Sequence, residues 1–137
     1  MYRISVLAAL LVTQAAAAPA AAACAGADPA ITSAAALAPE KSGALNNVRV
    51  SITVRNLGSQ AQPSNTLQSV EILQQGTKVG LKGVPPLAPG KAYTFVYTFQ
   101  RSSEAAPRST QLTLHLVVTQ PAGADCDTSN DKYKLSV

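Results

Sequence analysis

The stretch that decides the fold is VRVSITVR, at residues 48–55. Branched apolar residues alternate with polar ones along its whole length. An alternation with a period of two places all the apolar side chains on one face of an extended strand. We therefore predict a β-strand with one buried face. The strand ends where residues 56–59, NLGS, supply the residue types that favour a turn.

The same alternation recurs on both sides of this stretch. It predicts a weaker edge strand before it and five strands after it, at residues 28–37, 67–75, 77–82, 91–100, 109–120 and 132–137. Residues 83–90 contain three prolines and are predicted to be a connection, because proline removes the donors of a strand ladder. Seven short strands in roughly 110 residues are typical of an all-β, immunoglobulin-like seven-stranded antiparallel β-sandwich. An up-and-down barrel is the alternative fold.

Apolar stripes indicate which faces of the later strands are buried. Leucines and a valine alternate along residues 109–120, and Val79 alternates with Leu81 against two lysines. In residues 91–100, four aromatic residues occupy one face: Tyr93, Phe95, Tyr97 and Phe99. An aromatic ladder for ligands is one interpretation of that face. We favour a sandwich core, because aromatic side chains pack well on a half-buried pleat.

Composition excludes several classes of function. The 137 residues include 11 Lys and Arg, 7 Asp and Glu, one His and two Cys, which gives a net charge of +4. One His and two Cys exclude a multi-histidine metal site and a four-cysteine zinc site. The basic residues are dispersed, whereas a nucleic-acid-binding surface requires them to cluster. We therefore expect no nucleic-acid partner.

The first 23 residues have the pattern of a secretory signal peptide. Arg3 precedes a short apolar stretch, and alanines then provide several A-x-A cleavage sites. An uncleaved membrane anchor is less consistent with the pattern, because Gln14 and Pro19 interrupt the apolar segment. We expect cleavage to leave residues 24–137 as a single domain that is secreted or periplasmic.

The two cysteines, Cys24 and Cys126, allow two exclusive predictions. In an exported chain, a pair of cysteines is first interpreted as a disulfide. Alternatively, Cys24 follows three alanines and could be the acylated first residue of a lipoprotein. Membrane contact is expected only in that second case.

Three motifs resemble CARDB modules, the cell-adhesion-related domain found in bacteria. Residues 50–59 resemble their V-x-V-x-V-x-N-x-G strand and turn, and residues 84–91 resemble their L-x-P-G connection. Residues 125–131 resemble the acidic, Asn-rich turn before their last strand. The resemblance covers residues 28–137 and implies a seven-stranded immunoglobulin-like sandwich that is a structural or binding unit, not a catalyst. In such a sandwich the two cysteines lie at the same end, so a bridge between them is geometrically plausible.

Few residues suggest chemistry, and we predict no catalytic, cofactor or metal site. His115 alternates with leucines, so we expect it on the outer face of its strand, and no Gly-x-Ser-x-Gly elbow accompanies it. Four oxygen-bearing side chains lie close in sequence near the C-terminus: Asp125, Asp127, Asn130 and Asp131. Calcium binds such oxygens, but the EF-hand spacing is missing. We therefore favour a solvated Asx-rich turn.

These observations together predict an exported, non-enzymatic binding or adhesion module, or an envelope accessory protein, that acts by surface contact. The expected partner is a protein or a cell-surface glycan. The expected contact regions are the loops at residues 58–66 and 101–108 and the exposed sheet edges. The alternative is a periplasmic protease inhibitor or a chaperone-like protein, which would cap an active site or a strand of its partner.

Overall fold

A computed structural model describes the chain from residue 24 to residue 137, so the predicted signal peptide at residues 1–23 lies outside the described residues. A short 3-10 helix, Thr128–Asn130, precedes the last strand. Within residues 24–137, no helix has the length and apolarity needed to cross a bilayer. The strands are β1 (Pro29–Ala36), β2 (Glu40–Ser42), β3 (Leu45–Asn56), β4 (Leu67–Gln74), β5 (Thr77–Val84), β6 (Ala92–Ser102), β7 (Gln111–Gln120) and β8 (Lys132–Ser136).

The strands form two antiparallel sheets. In the first sheet, β6 pairs with one side of β3 along its whole length, from Leu45 opposite Ser102 to Arg55 opposite Ala92. Strands β1 and β2 share the other side of β3. The second sheet has the order β5-β4-β7-β8. This confirms the predicted all-β, immunoglobulin-like sandwich. The structure adds the three-residue strand β2, and it extends β5 to Val84, into the segment predicted to be a connection, because Gly83 and Val84 still pair with β4.

The core lies between the sheets and contains the residues that the alternation predicts. Val50, Ile52 and Val54 of β3 have no exposed surface. Each large apolar side chain removed from water stabilises the fold by roughly 1.5–3 kcal/mol before the entropy of ordering is counted. The buried partners from the second sheet are Val70, Ile72, Leu112, Leu114 and Leu116.

The aromatic face of β6 belongs to this core. Phe95 is buried, and Tyr93, Tyr97 and Phe99 pack against the same cluster. The prediction of a packed core, instead of an aromatic ladder for ligands, is therefore confirmed. Val96 points away from the core and is 46% exposed on the outer face of the sheet.

Strand β5 differs from what its alternation suggests. Val79 and Leu81 share a pattern typical of a buried face, yet they are 43% and 60% exposed. The reason is that β5 is the outermost strand of its sheet, and its pairing with β4 shifts register after Ile72. Gly80 then faces inward, where a Cβ atom would lie 3.0 Å from the ring of Tyr97. The ring of Tyr97 therefore fills the space on the inner side of Gly80, where an apolar side chain of β5 would otherwise pack.

Asn56, at the end of β3, explains the N-x-G motif. It is fully buried, and its side-chain oxygen accepts hydrogen bonds from the backbone N–H groups of Asp28 and Gly58, each over 3.0 Å. Its side-chain nitrogen donates to the carbonyls of Gln60 and Leu87, over 2.8 and 2.9 Å. One side chain therefore satisfies four backbone groups from three segments, and such groups are costly to bury without partners.

Gly58 is required by close packing of two backbones. A Cβ atom at this position would overlap the carbonyl oxygen of Gly26 and would lie 2.6 Å from the nitrogen of Asp28. No side chain fits in that space. The motif thus fixes how the segment before β1 crosses the end of β3.

Candidate functional site

Five oxygen-bearing side chains meet at one end of the sandwich, and we call this set the acidic pole. Asp28 immediately precedes β1, and the other four belong to the connection between β7 and β8. Antiparallel pairing brings that connection to the same end as the start of β1. The members of the acidic pole are Asp28, Asp125, Asp127, Asn130 and Asp131.

Asp28 and Asn130 join the two parts of the acidic pole. The side-chain nitrogen Nδ2 of Asn130 donates a hydrogen bond to Oδ1 of Asp28 over 2.9 Å. Asp28 is only 4% exposed. Because its N–H is also held by Asn56, the start of β1 is fixed against the β7–β8 connection.

Asp127 has a local structural role. Its carboxylate accepts hydrogen bonds from the N–H and the hydroxyl of Ser129 and so caps the 3-10 helix. These bonds hold the pKa of the exposed Asp127 carboxyl below its usual value, with the Ser129 hydroxyl as the larger cause. This part of the acidic pole is a solvated Asx-type turn, as predicted.

Asp125 and Asp131 are in a different environment. Asp131 is 7% exposed, and burial, followed by the neighbouring Asp125 carboxyl, raises its pKa to about 8. Burial also raises the pKa of Asp125. Oδ2 of Asp125 and Oδ1 of Asp131 are buried and receive no hydrogen bond from an N–H or hydroxyl group of residues 24–137, and the two carboxyl groups are hydrogen-bond partners of each other. The expectation of a fully solvated turn is therefore wrong for Asp131, because the segment before β1 folds over the connection and covers it.

A cleft of about 490 Å³ opens beside these carboxyl groups and is lined by Asp125, Thr128, Asp131, Lys132 and His115, among others. In the described part of the chain, no three His, Cys, Asp or Glu side chains converge in a way that would hold a metal ion. Sequence reasoning grouped the four polar residues of the β7–β8 connection but missed Asp28. Asp28 lies near these four residues because the segment before β1 crosses the end of β3 at Asn56 and Gly58.

Cys24 and Cys126 lie beside the acidic pole. Their sulfurs are at bonding distance, and their Cα atoms are 6.0 Å apart, within the range of natural disulfides. The N–H of Cys126 donates to the carbonyl of Ala27 over 2.8 Å, which aligns the two segments. This geometry favours the predicted disulfide over acylation of Cys24, and the bond itself stays a prediction that thiol chemistry can test.

The first of the two loops expected to contact a partner is anchored. In residues 58–66, the side-chain amide of Gln62 exchanges two hydrogen bonds with that of Gln68, over 2.7 and 2.8 Å, and both residues are buried. Oε1 of Gln62 also accepts from the N–H of Leu87. This loop is therefore held to the framework at its centre.

The second loop, residues 101–108, lies at the opposite end of the sandwich. It borders a cavity of about 460 Å³ whose lining includes Leu37, Val48, Pro107 and Val137. Arg101 spans this end by donating to the carbonyl of Val137 over 2.6 Å. The two predicted loops are thus far apart and do not form a common surface.

Among the strands of residues 24–137, β6 has the longest sheet edge that no other strand pairs with. It has 11 residues, and in this part of the chain it pairs only with β3. Its residues 92–100, AYTFVYTFQ, contain no charged residue and no proline. Its pairing with β3 also continues without a bulge. Charged residues, prolines and bulges are the features with which natural proteins normally protect an edge, and this stretch of β6 lacks all three.

His115 lies on the outer face of the second sheet, as predicted. Its Nδ1 is 3.8 Å from Oε2 of Glu71, and Oε1 of Glu71 accepts a hydrogen bond from Lys78 over 2.7 Å. The hydrogen bond from Lys78 holds the pKa of the exposed Glu71 carboxyl below its usual value. Lys78 and Glu71 therefore form an ion pair on the strand surface, and His115 lies beside it.

Comparison with known proteins shows the family of this chain and a similar fold among solved structures. The CARDB family matches residues 28–130. The fold is similar to the crystal structure of a CARDB domain from Pyrococcus furiosus, which was solved in complex with di-metal ions, with a TM-score of 0.57 and 15% identity over 85% of this chain and 93% of that one. A search of curated proteins found no match. The motifs, the two-sheet topology and the family match lead to one conclusion: this chain belongs to the CARDB family.

Proposed function

We propose that the mature chain is an exported, non-enzymatic binding module that engages a partner protein by surface contact along the free edge of β6. CARDB modules are non-catalytic immunoglobulin-like units, which supports a binding role. The signal-like pattern of residues 1–23 and the adjacent cysteines support export to an oxidising compartment. The single observation that carries the proposal is the unprotected edge of β6.

A free edge strand presents a row of backbone N–H and C=O groups that an extended peptide can match. In β6, alternate side chains point into the core, and the outer face carries Thr94, Val96 and Thr98. The partner's backbone would supply affinity, and these small outer residues would leave room for its side chains. Because the edge recognises a peptide backbone, the edge favours a protein over a glycan as partner.

The other edges are less suitable. The pairing of β5 with β4 is interrupted by a register shift, and so is the pairing of β1 with β3. Strand β8 has only five residues, with Lys132 and Lys134 among them. Lysines and irregularities discourage edge pairing.

A second candidate function rests on the same edge. A chaperone-like protein or an inhibitor that caps a strand of its partner also needs an unpaired edge strand. The difference lies in the outcome of binding: a capping protein keeps its partner soluble or inactive, whereas an adhesion or accessory module holds a folded partner in place.

The test is site-specific photo-crosslinking in the producing bacterium, with a photoreactive residue at position 96 or, as the control, at position 79. Both positions are valines of similar exposure on outer strands, one in each sheet. We expect a discrete adduct from position 96 only, which Thr98→Lys abolishes. Equal adducts from both positions, or none, would contradict the β6 edge. Retention on purified cell-wall glycans that is unchanged by Thr98→Lys would favour a glycan partner instead.

A further inference from the structure

We propose that the partner of the β6 edge is a second copy of this chain, paired antiparallel through residues 92–100 about a two-fold axis at Val96. This inference rests on the proposed function, because it names the protein that the free edge engages. The pairing would join the first sheets of the two copies into one continuous sheet.

The first observation is that residues 92–100, AYTFVYTFQ, present nearly the same classes of side chain in both directions. A two-fold axis beside Val96 places each residue opposite the one that lies equally far from Val96 on the other side, in the second copy. Threonine then faces threonine, valine faces valine, and every aromatic residue faces another aromatic residue. The pairs are Val96 with Val96, Thr94 with Thr98, Tyr93 with Phe99, and Phe95 with Tyr97.

On the outer face, the pairing would continue a contact that the sheet already contains. The hydroxyl of Thr94 shares a hydrogen bond of 2.9 Å with that of Thr53, its neighbour in the pairing of β3 with β6. Thr98 of the second copy would take the corresponding place on the other side of Thr94. Threonines that face each other across strands stabilise a sheet. The row of threonines would therefore extend from one copy into the next without a change in chemistry.

The inner face of β6 carries aromatic surface that one copy alone leaves uncovered. Tyr93, Tyr97 and Phe99 pack against the core but are only partly buried, and among residues 24–137 no strand lies beside β6 on that side. In the proposed pairing, each of these rings lies opposite an aromatic ring of the second copy. Aromatic pairs across neighbouring strands stabilise a sheet. The second copy would therefore cover surface that the fold itself does not.

The flanking charges restrict the register. Lys91 and Arg101 lie five positions before and after Val96, so the uncharged stretch is centred on the proposed axis. They would be opposite each other just beyond the paired residues, but the guanidinium of Arg101 is turned towards its own domain, where it donates to Thr110 and to the carbonyl of Val137. An axis at either neighbour of Val96 would instead set a threonine opposite a valine and a cation opposite an aromatic ring.

Strand β5 shows that this symmetry alone is not sufficient. Its residues 77–83, TKVGLKG, are also similar in both directions, about Gly80. Pairing two copies there would place Lys78 opposite Lys82, and like charges directly opposite each other destabilise a sheet. The register shift beside Ile72 also interrupts the pairing of this strand with β4. The symmetry and the absence of charge together therefore favour β6 over β5 as the strand that accepts a second copy.

The first experiment measures the molar mass of the purified protein by sedimentation equilibrium at several concentrations. We expect a reversible equilibrium of monomer and dimer with a dissociation constant on the order of 10⁻⁴ M, because one pair of strands forms a smaller interface than that of a permanent dimer. Thr98→Lys places a lysine at the edge in each copy and should weaken dimerisation at least tenfold. The matched control is Thr32→Lys, at an exposed position of β1 on the opposite edge of the same sheet, which should weaken it less than threefold.

Cysteine cross-linking tests the position of the axis. Under mild oxidation, Val96→Cys should form a disulfide between two copies, because the residue on the axis faces itself. Thr94→Cys and Thr98→Cys should each fail to cross-link alone, since equal positions are about 13 Å apart along the strands. An equimolar mixture of the two should form a cross-linked dimer.

Two results would overturn the proposal. The first is a protein that stays monomeric at about 10⁻³ M together with a Val96→Cys variant that does not cross-link. The second is a Thr94→Cys variant that cross-links to itself as fast as Val96→Cys does, because that result indicates random collisions and no defined register.

The adducts from the photoreactive residue at position 96 separate this inference from the proposed function. An adduct with twice the mass of the chain supports both. An adduct with a different protein that Thr98→Lys removes supports the β6 edge but overturns the second copy as its partner. The absence of both an adduct and a dimer would contradict both.

Discussion

The side-chain nitrogen of Asn130 donates a hydrogen bond to Oδ1 of Asp28 over 2.9 Å, although the two residues are 102 positions apart in the sequence. Cys24 and Cys126 are separated by the same 102 positions. The hydrogen bond and the predicted disulfide therefore join the same two segments, the one before β1 and the one between β7 and β8.

The first prediction concerns the cysteine pair. Protein taken from the exported compartment should contain no free thiol and should gain two protons in mass on reduction. Cys24→Ser combined with Cys126→Ser should lower the free energy of unfolding by at most roughly 4–5 kcal/mol, because the bridge closes a loop of about 100 residues. Urea unfolding measures this loss, and reduced unmodified protein is its control. Two free thiols, or an acyl group on Cys24, would contradict the disulfide.

The second prediction concerns Asn56. Asn56→Asp should lower the free energy of unfolding by about 3–5 kcal/mol, because a carboxylate oxygen would replace the amide donor that faces the carbonyls of Gln60 and Leu87. Chemical unfolding followed by circular dichroism measures the change. Asn65→Asp in the exposed part of the neighbouring loop introduces the same charge and should change stability by less than about 0.5 kcal/mol. Equal effects of the two substitutions would show that Asn56 does not organise this end.

The third prediction compares two glycines. Gly58→Ala should destabilise the fold by about 1–3 kcal/mol, since its Cβ would overlap the backbone of Gly26 and Asp28. Gly83→Ala in β5 meets nothing within 4 Å and should be neutral or slightly stabilising. Thermal unfolding of the two variants side by side measures the contrast. A Gly58→Ala protein as stable as Gly83→Ala would mean that the two backbones do not pack as closely as described.

The fourth prediction concerns pH in metal-free buffer. The pKa of Asp131 is raised from 3.8 to about 8 by burial and by Asp125, so the folded state holds a proton that the unfolded state releases. The stability that this proton confers is complete below about pH 4 and is lost as the pH rises towards 8. The free energy of unfolding should therefore fall with rising pH, by up to about 4 kcal/mol between pH 5 and pH 9.

Asp131→Asn is the control for this pH dependence, because an amide cannot ionise. The variant should be less sensitive to pH over the same range and should be more stable than the unmodified protein at pH 9. The other carboxyls facing Asp131 are those of Asp28, Asp125 and Asp127, and they remain in the variant. An unchanged pH profile in Asp131→Asn would assign the dependence to one of them.

The sandwich could be predicted from the sequence because its signal is local. Alternation along β3, β6 and β7 specifies both the strand and its buried face, and Leu112, Leu114 and Leu116 are buried as expected. The exposure of Val79 and Leu81 could not be predicted in this way. It depends on which strand is outermost and on a register shift, and neither of these is encoded in the periodicity of β5 itself.

The acidic pole could be predicted only in part. The polar residues of the β7–β8 connection stand together in the sequence, but Asp28 lies about a hundred positions away. The burial of Asp131 depends on that distant segment, and alternation carries no information about such crossings. The signal that could have indicated it was the N-x-G motif, since a conformationally special turn after β3 suggests that another segment crosses there.

The pairing of β3 with β6 has a consequence for how the chain matures. These strands are joined by a long intervening segment that forms a hairpin of its own, β4 with β5, before β6 begins. Contacts between residues distant in sequence form slowly, because the chain must first lose the entropy of closing the loop. Because the N-terminal part of the chain is synthesised first, β3 is complete before the uncharged stretch of β6 appears, and β3 stays unpaired on that side until then. Until the two strands pair, both are exposed to misdirected association through their free edges.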